Sequence, residues 1–77
     1  MTLDSIHEWL QKRPFQPIRV SSSSGESYEV RHPEMAWLTR TELLIGIAER
    51  RGFPSRYRAL SLLHITAVEP LDSTAAA

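Results

Sequence analysis

Apolar positions change their spacing at Pro14, which divides the chain into a helical segment and a strand-forming remainder. Within residues 2–13, Leu3, Ile6 and Leu10 recur at helical spacing and Trp9 widens the stripe. Thr2 stands where an N-cap belongs, acidic residues fall in the first turn, and Lys12 and Arg13 fall in the last. Pro14 ends this amphipathic helix, because the residue before a proline is pushed out of the helical region, and Pro17 keeps the connection extended. A helix this short is not stable by itself, so its stripe is expected to dock on the rest of the chain with Trp9 buried between them.

From Phe15 onward the period is that of strands. Phe15, Ile18 and Val20 lead into four serines, 21–24, then Gly25 and Glu26, after which Tyr28 and Val30 alternate with polar neighbours. This predicts a hairpin turning at Gly25, a residue that tolerates positive φ. His32-Pro33-Glu34 interrupts the sheet pattern as a corner, and Met35 to Leu38 resume it with Trp37 expected in the sheet core. Residues 42–48 form the most continuous apolar run, a strand expected to be buried on both faces and bent at Gly46. Residues 49–55 read as a polar hairpin loop and 56–62 as the partner strand. The chain then turns at Leu63-His64-Ile65 and resumes as a short strand, Thr66-Ala67-Val68, closed by Pro70. The predicted fold is mainly β: an N-terminal α-helix followed by a small five-stranded antiparallel barrel over residues 1–70, with 71–77 a flexible C-terminal tail.

Composition alters this picture in two ways. A chain of 77 residues without cysteine has neither a disulfide framework nor thiolate metal ligands to reinforce a small core, which leaves packing and partner subunits. The apolar surplus, Trp9, Trp37, Leu43, Leu44, Ile45, Ile47, Leu60, Leu62 and Leu63, exceeds what one inward layer can hold. Consecutive residues such as Leu43, Leu44 and Ile45 must point to opposite faces, so a homo-oligomer is expected. The formal net charge of zero argues against bulk nucleic-acid binding, which rests on phosphate neutralisation. No apolar run approaches the ~20 residues of a membrane span, and Asp4 and Glu8 stand where a signal peptide is basic, so the reading is cytoplasmic with no membrane partner.

The helix-first order of elements, the Gly25 hairpin and the closing Leu63-His64-Ile65-Thr66-Ala67-Val68-Glu69-Pro70 resemble the Sm-like small barrel, in particular the bacterial RNA chaperone of that class. The resemblance spans residues 3–70 in layout and the closing stretch in detail. It implies ring-forming subunits joined edge to edge by their last two strands, with uridine-rich RNA near the pore. A lysine precedes the histidine of that closing motif in the chaperone; here Leu63 holds the place, and His64 is the pore-type residue that carries over. Separately, Pro14-Phe15-Gln16-Pro17-Ile18-Arg19-Val20, Gly25 and Val30-Arg31-His32-Pro33-Glu34 resemble a group of short, uncharacterised bacterial proteins with a Pro-Phe start and a His-Pro-Glu corner, which brings no activity with it.

The residues that carry candidate chemistry cluster late in the chain. Arg50, Arg51, Arg56 and Arg58 lie beside Phe53 and Tyr57, a mixture able to neutralise phosphates and stack on bases; a hairpin tip is where charged residues belong in any case, and a solvated tip or a protein contact is the favoured reading. His7, His32 and His64 with Glu34 lack the spacing of a dedicated ligand pair, so neither a metal nor another cofactor is expected. No nucleophile, base and orienting partner can be assembled from the sequence, which reads as non-enzymatic. The expected function is a non-catalytic, self-assembling protein-interaction module of Sm-like type, and the alternative is a divergent Sm-like ring that binds single-stranded RNA through the 50–58 segment and His64.

Overall fold

The computed structural model describes residues 2–50 and 53–71, with the backbone alone at 48–50 and 53–55. Helix α1, Leu3–Gln11, starts where Thr2 accepts a hydrogen bond from the Ser5 amide at 3.2 Å and buries Ile6 and Leu10. It is shorter than predicted because Lys12 is already extended and Arg13 bends back, its Nη1 donating to the carbonyls of Leu10 and Lys12 at 3.1 and 2.7 Å. The Arg13–Pro14 peptide bond is cis. No helix among the described residues is long and apolar enough to cross a membrane.

Strands β1 (Ile18–Ser22), β2 (Ser27–Val30) and β6 (Ile65–Pro70) form one antiparallel sheet in the order β2-β1-β6. Strands β3 (Ala36–Leu38), β4 (Glu42–Arg50) and β5 (Phe53–Ser61) form a second, in the order β3-β4-β5. The fold is thus mainly β with one N-terminal helix, but six strands replace the predicted five, and no ladder closes the two sheets into a barrel among the described residues.

The cause lies at the two corners. Pro33 has no amide hydrogen, and the 3₁₀ turn Pro33–Met35 uses the amides of Met35 and Ala36 on the carbonyls of His32 and Pro33, which interrupts pairing and sends the chain from β2 into β3. A second 3₁₀ turn, Leu62–His64, capped by the Ser61 hydroxyl, carries the chain from β5 back to β6. Both predicted corners are therefore places where the chain crosses between sheets.

The predicted Gly25 hairpin is present, with φ +94° at Gly25 and its amide on the Ser22 carbonyl at 3.0 Å. The two sheets bury one shared layer. Ile18, Val20 and Val30 face Ala36, Leu43 and Ile45, and Ile6 and Leu10 of α1 join the same cluster.

Other expectations need correction. Trp37 is 47% exposed rather than in the core, because alternation along β3 turns Ala36 inward and pairs Trp37 with Leu44 on the opposite face. Strand β4 is fully buried on its inner side, at Leu43 and Ile45, whereas Leu44 is only half-buried. Its irregularity falls after Gly46, where the register shifts between Ile47 and Ala48. Much of the predicted 49–55 loop is strand, since Arg50 pairs with Phe53. Leu71 belongs to the fold: it is buried and its amide meets the Pro17 carbonyl at 2.9 Å. The rest of the predicted tail, 72–77, lies outside the described residues.

Trp9 is half-buried, packing on the core while Lys12 Nζ sits 5.2 Å from its ring centre. Truncation of Ile6, which is fully buried, should therefore cost more than truncation of Trp9. We expect about 3 kcal/mol for Ile6→Ala and about 1.5 kcal/mol for Trp9→Ala in urea unfolding. A larger loss for Trp9→Ala would mean that the indole, not Ile6, anchors the helix.

Candidate functional site

Strand β5 and the Gly25 hairpin face each other across a cleft of about 580 Å³, and three of the predicted site residues, Tyr57, Arg58 and His64, line it. Tyr57 and Arg58 of β5 and His64 of the second 3₁₀ turn line one side, and the serines of the hairpin with Glu26 and Tyr28 line the other. Arg56 is exposed and lines an adjoining groove with Tyr57 and Arg58. Arg50 and Phe53 are placed by their backbone at the far end of the β4–β5 hairpin, and Arg51 lies outside the described residues.

Arg58 is not a free cation. Its Nη2 donates to Glu26 Oε1 and to the Tyr28 hydroxyl, both at 3.1 Å, and its Nε donates to the same hydroxyl at 3.3 Å. The Tyr28 hydroxyl in turn donates to Glu26 Oε1, and the guanidinium carbon lies 5.8 Å from the Tyr28 ring centre. The Tyr28 hydroxyl, with Arg58 beside it, holds the Glu26 carboxyl below its ordinary value; Tyr28 and Glu26 together raise Arg58. This clasp is solvent-exposed and ties an edge of one sheet to an edge of the other.

His64 is tied to the hairpin by its backbone, the carbonyl accepting from the Ser23 amide at 2.8 Å, and its Nδ1 is 3.3 Å from Ser23 Oγ. Ser22, buried, shares a 2.7 Å hydrogen bond with the Ser24 hydroxyl. His7 on α1, His32 before the first corner and His64 at the second belong to separate elements, and no metal-holding group of side chains is gathered among the described residues.

Sequence reasoning missed Glu26, Tyr28 and Ser23 as site residues. Glu26 and Tyr28, two apart, share one side of the hairpin, and that much was legible. Their partner Arg58 is some thirty positions away, and only the relative placement of the two sheets brings it there.

The outer faces of the two sheets differ. On the first, Arg31 pairs with Glu29 at 2.8 Å, and Arg19 lies between Glu29 and Glu69 at 3.6 and 3.7 Å, a charged row across all three strands. On the second, Trp37, Leu44, Gly46, Arg56 and Tyr57 line a shallow groove of about 360 Å³, and Tyr57 is 65% exposed. Comparison with known proteins adds no relative: no family model, curated protein or solved structure matches the chain.

The clasp has a definite pH dependence. Because the Glu26 carboxyl is held below its ordinary 4.5, the clasp is complete above that value and is lost as the pH falls through the lower folded value. In NMR the Arg58 Nε–H signal should shift on acidification below about pH 4.5 and be pH-independent over the same range in Glu26→Gln. An Arg58 signal that ignores acidification in the unaltered protein would contradict the clasp.

Proposed function

We propose that this chain is a non-catalytic, self-associating interaction module of the Sm-like small-barrel kind, and that the outer face of β3–β4–β5 is where copies meet. The observation that carries the reading is the contrast between the two outer faces. The first sheet carries a row of ion pairs across its strands, whereas the second presents Trp37 and Tyr57, exposed, and Leu44, half-buried, around a shallow groove. Exposed aromatic surface of this kind on a small domain marks a contact site.

Edge placement supports the same reading. Strand β6 ends its sheet with one strand neighbour among the described residues, which offers an edge for intermolecular pairing, whereas the outer edge of β5 is turned toward the Gly25 hairpin and held there by the clasp. The Sm-like resemblance implies joining through the last two strands, and those are β5 and β6. Six strands in two sheets take the place of a closed ring of five in this reading, with the corners at Pro33–Met35 and Leu62–His64 as the hinges of an open barrel.

The competing RNA-binding ring draws on the meeting of Tyr57, Arg58 and His64 in one cleft. Against it stand the commitment of Arg58 to Glu26 and Tyr28 and the zero formal charge.

Light scattering at micromolar concentration should give a mass that is a multiple of 8.8 kDa. Trp37→Glu should return the protein to one chain while leaving its far-ultraviolet circular dichroism unchanged. A single-chain mass at every concentration would defeat the proposal. Tight, salt-sensitive binding of oligouridine that is lost in His64→Ala would favour the ring that binds RNA.

A further inference from the structure

Among the described residues, four large apolar side chains are exposed: Leu3, Trp37, Tyr57 and Leu63. Trp37 and Tyr57 line the groove on the outer face of β3–β4–β5, and Leu3 lies on α1 beside Leu38 and the turn that follows it. Leu63 stands furthest out. It is 89% exposed, although Leu62 before it and Ile65 two residues after it are both buried.

The support of Leu63 is fixed. The Ser61 hydroxyl accepts from its amide at 3.3 Å, the Leu62 amide donates to the Thr41 carbonyl at 2.9 Å, and the His64 carbonyl accepts from the Ser23 amide at 2.8 Å. The turn is thereby tied to the β3–β4 connection on one side and to the Gly25 hairpin on the other. A side chain presented on backbone that is already ordered loses less entropy when it docks.

The groove has the complementary shape. It measures about 360 Å³, and Gly46, which has no side chain, leaves a hollow beside its cross-strand partner Tyr57, with Trp37 and Leu44 as further walls. Laid groove to groove, two copies would leave that hollow unfilled and forfeit contact, and they would bring the Arg56 of each rim toward the other. A convex apolar group fills it. Tyr57 and Ser61 are separated along β5 by about 13 Å at the rise of a strand, and Leu63 lies beyond Ser61, so this leucine cannot reach the groove of its own chain.

We propose that Leu63 of one copy inserts into the groove formed by Trp37, Leu44, Gly46 and Tyr57 of the next, so that subunits join head to tail. This rests on the reading that copies meet at the outer face of β3–β4–β5, and it names what the second copy contributes there. The contact is heterologous: each chain supplies one knob and one groove, and the array closes into a ring or continues as a filament according to the rotation between neighbours. Two features beside the knob extend the contact. Strand β6 begins directly after the turn and has an outer edge without a strand partner among the described residues. Glu42, the cross-strand partner of Ser61, carries the charge opposite to that of Arg56 at the groove.

Complementation separates this arrangement from a symmetric one. Leu63→Asp should lower the association constant about ten- to a hundredfold, the loss of one buried leucine contact, and leave the core amide spectrum unchanged because the side chain is exposed. Leu63→Asp retains its groove and Trp37→Glu retains its knob, so mixing the two restores a single contact. In the NMR spectrum of isotope-labelled Leu63→Asp, the amides of Leu44, Gly46 and Tyr57 should shift when unlabelled Trp37→Glu is added. With the labels exchanged, the amides of Leu63 and His64 should shift instead. Light scattering on the mixture should approach twice 8.8 kDa and go no higher, since the pair has no working knob and groove left. Assembly that Trp37→Glu abolishes and Leu63→Asp does not would keep the outer face as the meeting place and overturn the proposal, as would the absence of shifts in the mixture. An unaltered chain that is single at every concentration would remove both.

Discussion

The apolar layer shared by the two sheets is the interaction on which every other feature rests. Ile18, Val20 and Val30 from one sheet and Leu43 and Ile45 from the other are wholly removed from water, and Ile6 closes the layer from α1. Each such side chain contributes about 1.5–3 kcal/mol by burial, and there is no disulfide to reinforce them. Two three-stranded sheets can share one layer only if the chain passes between them twice. The proline corner and the Ser61-capped corner make those passages, and both use 3₁₀ turns that satisfy their amides locally.

That arrangement sets what the surface can do. Crossing at Leu62–His64 returns the chain beside the hairpin, which brings His64 to Ser23 and leaves Arg58 within reach of Glu26 and Tyr28. The clasp and the cleft are consequences of the same corner. With the inner faces committed to the core, the outer faces and edges are what a partner can reach, and they differ: one carries a row of ion pairs and the other a shallow aromatic groove.

Much of this is visible in the sequence wherever local chemistry decides. Thr2, Gly25 and Pro33 each act through the conformation of their own residue or the next, and each stands at the boundary or turn it predicts, whereas the helix ends at Gln11, before the stop that Pro14 predicts. Trp37 shows where local reasoning stops: hydrophobicity places it inside, but a strand has two faces and only the pairing with β4 decides which is covered. Leu71 fails for the opposite reason, since its burial depends on Pro17, far away in sequence. The 50–58 segment was recognisable as charged and aromatic, yet the neutralising partner of Arg58 was hidden in the sheet-to-sheet placement.

The central claim is that a second copy of the chain covers the outer face of β3–β4–β5, and the exposure of Trp37 reports on this directly. With Trp9 replaced by phenylalanine, Trp37 is the only remaining indole, since the chain has two tryptophans. Acrylamide quenching of its fluorescence, followed from nanomolar to high micromolar protein, should fall as concentration rises and the emission should move to shorter wavelength. Quenching that stays at the level of a half-exposed indole across the whole range would contradict the account.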